Sequence, residues 1–244
     1  MEQEKVVEMS NISVEFPGVK ALDDVQFDLR RGEVHVLLGE NGAGKSTIMK
    51  VLAGVNTNYQ GKVLYKGEEI RCVSVKEQRE RGISIIFQET NLLRNLTVAE
   101  NIFYNRYIYK HGLIDYRAIE EESHKVLERL GVKIDPKTLV KNLSVGYQQL
   151  VEIAKSLSRT VKVLILDEPS APLTNNELKY LFDIVEAMRK ENMAIIYISH
   201  RLEEVLRLCD KVSVFRDGHY IQTMHVKDTN KTELIRLMVN RELN

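Results

Sequence analysis

Alternating apolar and polar positions mark the first part of the chain. The segments Val6 to Phe16 and Val25 to Leu29 alternate in this way, which predicts two half-buried β-strands. A further short strand is predicted at Lys62 to Tyr65, and the apolar run Ile83 to Phe87 predicts a buried strand. The first three of these strands predict a small antiparallel layer beside a main sheet.

The pattern becomes helical from about Thr97 to Arg159. Three helix starts are predicted from side chains that can accept a hydrogen bond from a backbone N–H of the first turn. These caps are Thr97 (with Glu100 completing a capping box), Asp115 and Ser144. The block predicts a helical subdomain, about 88–159, inserted into an α/β chain.

Strands and helices alternate again after Val161, which predicts a mostly parallel sheet with right-handed crossovers. The predicted strands are Val163 to Leu166 and Met193 to Ile198, and Lys211 to Phe215 pairs with Tyr220 to Met224 across Asp217-Gly218. The predicted helices are Thr174 to about Glu191, capped by Thr174 and Glu177, then about Arg201 to Leu208, and a last helix after Thr229.

A glycine-rich loop lies between a predicted strand, Glu33 to Leu38, and a predicted helix, Lys45 to Ala53. The loop residues are Gly39, Glu40, Asn41, Gly42, Ala43, Gly44, Lys45, Ser46 and Thr47. Glycines let successive backbone N–H groups converge on an anion, and the helix start adds positive partial charge. The pattern predicts a site for a nucleoside triphosphate, with Lys45 on the β- and γ-phosphates and the Ser46 hydroxyl on Mg²⁺.

Two acidic residues, Asp167 and Glu168, end the apolar run that begins at Val163. Carboxylates at the carboxyl end of a parallel strand lie where such sheets bind ligands. Asp167 suits the Mg²⁺ shell, directly or through water, and Glu168 suits orienting or deprotonating an attacking water. The alternative is an acidic pair that merely begins a loop.

Composition narrows the function classes. The 244 residues suit one large α/β domain, and 35 basic against 35 acidic residues leave no global attraction to nucleic acid. Cys72 and Cys209 have no metal-like spacing, which favours free thiols in a reducing cytosol. The first residues are not those of a secretory signal, and no apolar run approaches the roughly 18 residues of a membrane span. We expect a soluble protein whose membrane association comes through a partner.

The segment Leu143, Ser144, Val145, Gly146 and Tyr147 resembles the Leu-Ser-Gly-Gly-Gln signature of the ATP-binding cassette (ABC) ATPases. Other motifs of that family follow in order over essentially the whole chain. Phe16 matches the aromatic that stacks on adenine, Gln88 matches the glutamine that acts near Mg²⁺ and the water, and His200 matches the switch histidine.

The resemblance implies a P-loop NTPase fold (RecA-like) with a mostly parallel core, an antiparallel β subdomain and an inserted α-helical subdomain. It implies a single cassette over 1–244, with 1–87 and 160–244 forming the β subdomain and nucleotide-binding core. In the family, two cassettes pair head to tail around two ATP molecules, and each signature closes over the γ-phosphate held by the other cassette.

Each of these residues also has a structural alternative without a role in binding or catalysis. Phe16 suits a core aromatic, Gln88 a loop amide without a role, and His200 a structural histidine. Ser144 is compatible with both a simple N-cap and an anion-binding position.

A finer resemblance is to the first half of sugar-importer ATPases, carried by Phe16 to Leu22, Leu96 to Ile102, Val151 to Lys155, His200 to Glu204, Phe215 to Gly218 and Met238 to Glu242. It implies either the N-terminal half of such a protein or a single-cassette relative. It implies ATP hydrolysis coupled to uptake of a monosaccharide, on the inner face of the cell membrane. The implied partners are a second cassette, transmembrane permease subunits and, indirectly, a sugar-binding protein outside the membrane. No nucleic-acid partner is expected.

Two signature positions depart from the family. Val145 stands for a glycine, and its Cβ would restrict backbone approach to phosphate, while Tyr147 stands for the glutamine. The hypothesis is that this chain's own loop and Glu168 serve a competent site and its signature a weaker one.

Competing functions stay open at this point. The second hypothesis is a soluble cassette that acts as a nucleotide switch on the ribosome or DNA, and the third is a nucleotide-binding scaffold with little hydrolysis.

The permease is expected near Gln88 and the segment Thr90 to Tyr107, where aromatic residues either line a groove or pack the subdomain core. Those aromatics are Phe103, Tyr104, Tyr107 and Tyr109.

Overall fold

A computed structural model describes residues 4–239 of the chain. The remaining residues at both termini lie outside this range. They include part of the segment expected not to be a secretory signal, and the two ends of the predicted 1–244 domain. The strands are β1 (Lys5–Phe16), β2 (Val19–Arg30), β3 (Val34–Leu38), β4 (Gln60–Tyr65), β5 (Glu68–Ile70), β6 (Ile83–Ile86), β7 (Tyr109–Lys110), β8 (Leu113–Ile114), β9 (Val163–Asp167), β10 (Ala194–Ser199), β11 (Lys211–Arg216) and β12 (His219–His225). The helices are α1 (Lys45–Leu52), α2 (Val75–Glu80), α3 (Val98–Ile102), α4 (Tyr116–Arg129), α5 (Val145–Leu157), α6 (Asn175–Lys190), α7 (Leu202–Leu208) and α8 (Lys231–Val239).

The main sheet has the strand order β12-β11-β3-β10-β9-β6. Strands β11, β3, β10 and β9 run parallel, and β12 returns antiparallel to β11. Every residue of β3, β9 and β10 is buried, as expected for strands covered on both faces. The predicted mostly parallel α/β core is confirmed.

A second, antiparallel sheet has the order β2-β1-β4-β5. Its presence confirms the predicted antiparallel layer, but β2 begins at Val19 rather than near Val25. Pairing explains the extension, since Val19 lies opposite Phe16 and Leu22 opposite Val14. The pairing contains register shifts, which break the simple alternation that sequence analysis follows.

The predicted helix caps are confirmed where the structure describes them. Thr97 and Glu100 form a complete capping box, Asp115 accepts from the backbone of Ala118, and Ser144 accepts from that of Tyr147. These caps involve residues three positions apart, so the sequence alone reveals them.

The mainly helical block predicted from about Thr97 to Arg159 also contains a short hairpin, between α3 and α4, that the sequence did not indicate. There β7 and β8 form a hairpin whose turn residues, His111 and Gly112, have φ angles of 51° and 81°. A two-residue turn of this kind needs left-handed backbone, which glycine supplies and a histidine rarely signals. Helix α2 and strand β5 were not predicted.

Within residues 4–239 the chain forms two compact units. The core unit comprises 4–85, Lys162–Glu168 and 188–239, and the helical unit comprises Ile86–Val161 and Pro169–Ala187. The helical unit therefore includes most of α6, a stretch outside the predicted 88–159.

In the described part of the chain, no helix combines the length and apolar character needed to cross a bilayer.

Candidate functional site

The glycine-rich loop connects the end of β3 to the start of α1 in the core unit. Gly44 caps the helix in a left-handed conformation (φ 96°), and no side chain caps α1. A Cβ at Gly44 would lie 2.6 Å from Cδ2 of Leu22 and 3.0 Å from the carbonyl oxygen of Ala21, so both the angle and the space require glycine. The N–H groups of the first turn therefore remain for an anion, aided by the helix dipole.

Lys45 places a buried positive charge inside this loop. Only 5% of its surface is exposed, and its Nζ donates hydrogen bonds of 2.8 Å to the carbonyl oxygens of Gly39 and Glu40. Burial lowers the pKa of Lys45, and the nearby carboxylates of Glu168 and Asp167 oppose that effect.

The other loop residues divide by exposure. Glu40, Asn41 and Gly42 are exposed, Gly39, Ala43 and Gly44 are buried, and Ser46 and Thr47 are half-buried at the start of α1.

Asp167, the last residue of β9, is joined to the loop helix by Ser46. The Ser46 hydroxyl donates to Oδ1 of Asp167 at 2.9 Å. Burial raises the pKa of Asp167, while the bond from Ser46 and the positive charge of Lys50 oppose the rise. Asp167 belongs to the buried strand, so it does not merely begin a loop.

The same pair of oxygens meets the requirements of Mg²⁺. A hydroxyl and a carboxylate are hard ligands, and Mg²⁺ is typically bound by one or two such groups together with substrate phosphates and water. Among residues 4–239 no cluster of three or more His, Cys, Asp or Glu side chains could hold a metal without such help. Ser46 and Asp167 therefore fit the protein's share of such a Mg²⁺ site.

Glu168 adopts a backbone conformation that costs energy. Its φ angle is 47°, in the left-handed region that a residue with a Cβ occupies at a cost on the order of 1 kcal/mol. Its N–H donates to the carbonyl oxygen of Ile198 at 3.1 Å, and its Oε1 lies 3.2 Å from Nδ1 of His200. Strain of this kind is concentrated at functional sites, which favours a role for this carboxylate.

His200 follows β10 and is 48% exposed, which is inconsistent with a structural histidine of the core. The backbone around it is anchored by a polar cluster that the sequence did not indicate. The Ser199 hydroxyl accepts from the N–H of Arg201 at 3.0 Å and donates to Oε2 of Glu204 at 2.8 Å. Glu204 is buried and also accepts from the Tyr197 hydroxyl. An acidic residue in the first turn of a helix is ordinary, so no sequence signal marked it.

Phe16 and Gln88 lie in different units. Phe16 ends β1 and is 44% exposed, so it is not a core aromatic. Gln88 is exposed in a bend after β6, in the helical unit. Stacking of Phe16 on adenine and the role of Gln88 stay predictions.

The signature segment starts helix α5 in the helical unit. The Ser144 hydroxyl accepts from the N–H of Tyr147 at 3.2 Å and donates to Oε1 of Glu177 at 2.7 Å. Oε2 of Glu177 accepts from the N–H and the hydroxyl of Thr174, at 2.9 and 2.8 Å. One buried carboxylate thus serves the starts of both α5 and α6.

Close packing at this carboxylate explains the one glycine that the signature retains. A Cβ on Gly146 would lie 2.3 Å from Cδ and Oε2 of Glu177. Sequence analysis placed Glu177 only as a cap of its own helix, because Ser144 is 33 residues away. Val145 is 57% exposed, and Leu143 and Tyr147 are half-buried.

The four aromatics predicted near a permease are not buried. Tyr104 and Tyr109 are exposed, Phe103 and Tyr107 half-buried, and the rings of Tyr104 and Tyr107 meet edge to face at 6.4 Å. Arg106 stacks on Phe103 at 5.3 Å and donates to the Ser158 hydroxyl at 2.5 Å. These contacts are inconsistent with a sealed aromatic core, and docking stays a prediction.

Comparison with known proteins identifies the family. The ABC transporter family model matches residues 22–171. The chain belongs to the ABC transporter family. The resemblance stated from the motifs is thereby confirmed, as is the P-loop NTPase fold.

Among curated relatives, this cassette is 48% identical over 244 residues to a xylose import ATP-binding protein of Geobacillus kaustophilus, covering 99% of this chain and 48% of the relative. It is 45% identical to a ribose import ATP-binding protein of Clostridium perfringens, covering 99% of this chain and 49% of the relative. The chain thus spans about half the length of the curated relatives it matches.

Among solved structures, the cassette resembles the ADP conformation of an ATP-binding cassette of an ABC transporter, with a TM-score of 0.83 and 26% identity. The match covers 97% of this chain and 99% of that one.

Proposed function

We propose that this chain binds and hydrolyses ATP as part of an ABC importer and couples that hydrolysis to uptake of a sugar, a monosaccharide. The observation that carries the proposal is the arrangement at the carboxyl ends of β3, β9 and β10. There Ser46 bonds Asp167 at 2.9 Å, and the strained Glu168 lies 3.2 Å from His200. This is the edge at which parallel sheets bind ligands.

The residues divide the work by their chemistry. Loop residues 39–47 bind the phosphates through backbone N–H groups, and Lys45 adds a fixed positive charge. Ser46 and Asp167 would hold Mg²⁺, which would supply neutralising charge to the phosphate oxygens, and Gln88 stays a predicted ligand. Glu168 accepts a proton from, or orients, the attacking water, and His200, which lies 3.2 Å from that carboxylate, acts with it on the water and the γ-phosphate. Phe16, exposed at the end of β1, stacks on adenine.

The proposed cargo follows from the relatives, which are named for import of xylose and ribose. They favour import over the alternative of a soluble cassette that switches on the ribosome or DNA. The net charge of zero also gives no support to a nucleic-acid partner.

The proposed assembly places the chain on the inner face of the cell membrane. Its partners are a second cassette, permease subunits and, indirectly, an external sugar-binding protein. The permease meets the helical unit at the aromatic residues around Arg106. Burial, and then the charge of Arg159, lowers the pKa of Arg106 to about 10, so this arginine still carries its charge at neutral pH.

The decisive experiment uses Glu168→Gln with ATP and Mg²⁺, with and without the second cassette. Sizing by light scattering is expected to show nucleotide-dependent pairing of Glu168→Gln that is lost when Lys45→Ala is added. Phosphate release by Glu168→Gln should fall by at least about 100-fold while ATP binding persists, since the carboxylate acts on the water rather than on the nucleotide. Glu69→Gln, at an exposed carboxylate of β5, is the matched control.

Other outcomes distinguish the competing functions. Equal sizes under every condition would contradict nucleotide-dependent pairing. Turnover near zero with a partner cassette present would favour a nucleotide-binding scaffold. Salt-sensitive binding to RNA or DNA would favour the soluble switch, and co-purification with membranes only when a permease is present would favour import.

A further inference from the structure

Glu177 holds the one polar hydrogen of the signature serine. We propose that this carboxylate acts as a positioning residue, which restrains the Ser144 hydroxyl and so lowers the affinity of the signature for the γ-phosphate on a second cassette. The inference rests on the proposed function, because it assumes that the signature meets a partner's ATP.

The first step concerns the direction of the hydrogen bonds. A serine hydroxyl donates one hydrogen and accepts through two lone pairs. Here Oγ of Ser144 accepts from the N–H of Tyr147, and Oε1 of Glu177 lies 2.7 Å away. An ionised carboxylate can only accept, so the serine hydrogen must point towards Glu177. A phosphate oxygen can only accept as well, and it would therefore compete for the same hydrogen.

The second step concerns the charge state of Glu177. Burial alone would raise the pKa of Glu177, but the hydrogen bonds from Ser144 and Thr174 outweigh it and lower the pKa. The carboxylate therefore carries its negative charge at neutral pH, close to the helix start where a phosphate would bind. Like charges oppose each other there, which adds to the competition.

The third step concerns release. If Ser144 turns its hydrogen to a phosphate, Glu177 keeps both bonds from Thr174, which occupy its other oxygen, Oε2. The carboxylate thus keeps two hydrogen-bond donors at Oε2 when Oε1 loses the serine hydrogen, which limits the cost of the exchange. The contact is therefore able to open reversibly as ATP arrives and leaves.

The Glu177→Gln variant distinguishes a carboxylate that restrains the Ser144 hydroxyl from one that only supports the two helix starts. The amide oxygen of glutamine can still accept from Thr174, and its NH₂ group can donate to Oγ of Ser144. The serine hydrogen is then available to a phosphate, and the negative charge is gone. Pairing is measured with a second cassette in the Glu168→Gln background, by light scattering against ATP concentration in the presence of Mg²⁺.

We expect Glu177→Gln to lower the half-saturating ATP concentration for pairing by about three- to tenfold, the range of the net contribution of one ordinary hydrogen bond. The effect should vanish in the Ser144→Ala background, because no hydroxyl hydrogen remains to be released. ATP affinity of the chain without a partner should not change. Glu121→Gln, at an exposed carboxylate of α4, is the control.

A merely structural role gives a different result. Loss of support at the helix starts would raise the half-saturating concentration, with or without Ser144, and either that rise or no change would overturn the inference. Should Glu177→Gln fail to fold, as judged by circular dichroism, Glu177→Asp withdraws the carboxylate from Ser144 and carries the same expectation. If the parent Glu168→Gln protein binds ATP but never pairs, the proposed function fails first and the inference fails with it.

Discussion

Two buried carboxylates, one in each unit, differ in the direction of their pKa shifts. Asp167 in the core unit accepts one hydrogen bond, from Ser46, and burial dominates and raises its pKa. Glu177 in the helical unit accepts three, from Ser144 and Thr174, and its pKa is lowered despite burial. The hydrogen bonds to Glu177 therefore outweigh the effect of burial on its pKa, whereas the hydrogen bond to Asp167 does not.

The difference extends to the helix starts beside them. Helix α1 begins at Gly44 with no side-chain cap and with the Lys45 ammonium in the loop. Helix α5 begins at a capping serine whose hydroxyl is bound by an acid. The start of α1 can bind an anion directly, whereas Ser144 at the start of α5 must first give up its hydrogen bond to Glu177.

The largest expected effect concerns the lysine of α1. Lys45→Ala should weaken Mg·ATP binding on the order of 100-fold, because the fixed charge and its hydrogen bonds to phosphate are lost. Ser144→Ala should leave ATP binding by the chain alone unchanged, since the signature is proposed to meet the ATP of a second cassette. Isothermal titration calorimetry measures both, with Lys62→Ala at an exposed lysine as control. Equal losses in both variants would erase the distinction between the two helix starts.

The next effect concerns space beside Glu177. Gly146→Ala should destabilise the protein by about 1–3 kcal/mol, since the new methyl group would overlap the carboxylate. In the Glu177→Ala background the same change should become neutral or stabilising, because alanine favours helix over glycine by roughly 0.5–1 kcal/mol. Urea unfolding of the four proteins tests this, and an equal cost in both backgrounds would contradict the assignment.

A smaller effect is expected when the charge of Asp167 is removed. Asp167→Asn keeps an acceptor for Ser46 and relieves the buried charge, so the protein without nucleotide should unfold about 2–4 °C higher at neutral pH, as for roughly 1 kcal/mol in a chain of this size. The same variant should lose the Mg²⁺ dependence of ATP binding. Asp183→Asn, at an exposed position of α6, is the control for differential scanning fluorimetry. A lower unfolding temperature would mean that the charge stabilises the fold.

The smallest effect is in the pH dependence of stability. The ordinary pKa of Glu177 is 4.5 and its folded value is lower, so its contribution is present above pH 4.5 and is lost as the pH falls through the folded pKa. The ordinary pKa of Asp167 is 3.8 and its folded value is higher, so its contribution is present below pH 3.8 and is lost as the pH rises through the folded pKa.

At neutral pH the two substitutions should therefore change the free energy of unfolding in opposite directions. Wild type should be more stable than Glu177→Gln and less stable than Asp167→Asn, and both gaps should close on acidification. Urea unfolding between pH 3 and 7 measures them, and gaps of the same sign would contradict the comparison.

Local features were the most predictable from sequence. The caps at Thr97, Asp115 and Ser144 were correct because cap and N–H lie within one turn. The hairpin of β7 and β8 was missed because short strands carry too few residues to show a period.

The candidate site was only partly predictable. The loop and strand motifs indicated Lys45, Ser46, Asp167 and Glu168, and the family resemblance added His200, but neither showed how these residues meet. Ser46 and Asp167 are 121 residues apart in the chain, and only the fold joins them. The sequence did not indicate the hydrogen bonds of Glu204 or the bond between Glu177 and Ser144, since acidic residues in the first turn of a helix are common.

The sequence by itself determined the ligand class and the positions of most strands and helices, because loop chemistry, caps and periodicity act between near neighbours. The family was indicated by the resemblance of its motifs. The tertiary structure alone decided three further features. The backbone of Glu168 is strained beside the end of β10, and Gly146 lies against a carboxylate from another helix. The pKa of Asp167 is raised, whereas the pKa of Glu177 is lowered. The physical reason is that burial and hydrogen-bond donors come from segments far apart in the chain, and they set charge and space at a residue only when the fold brings them together.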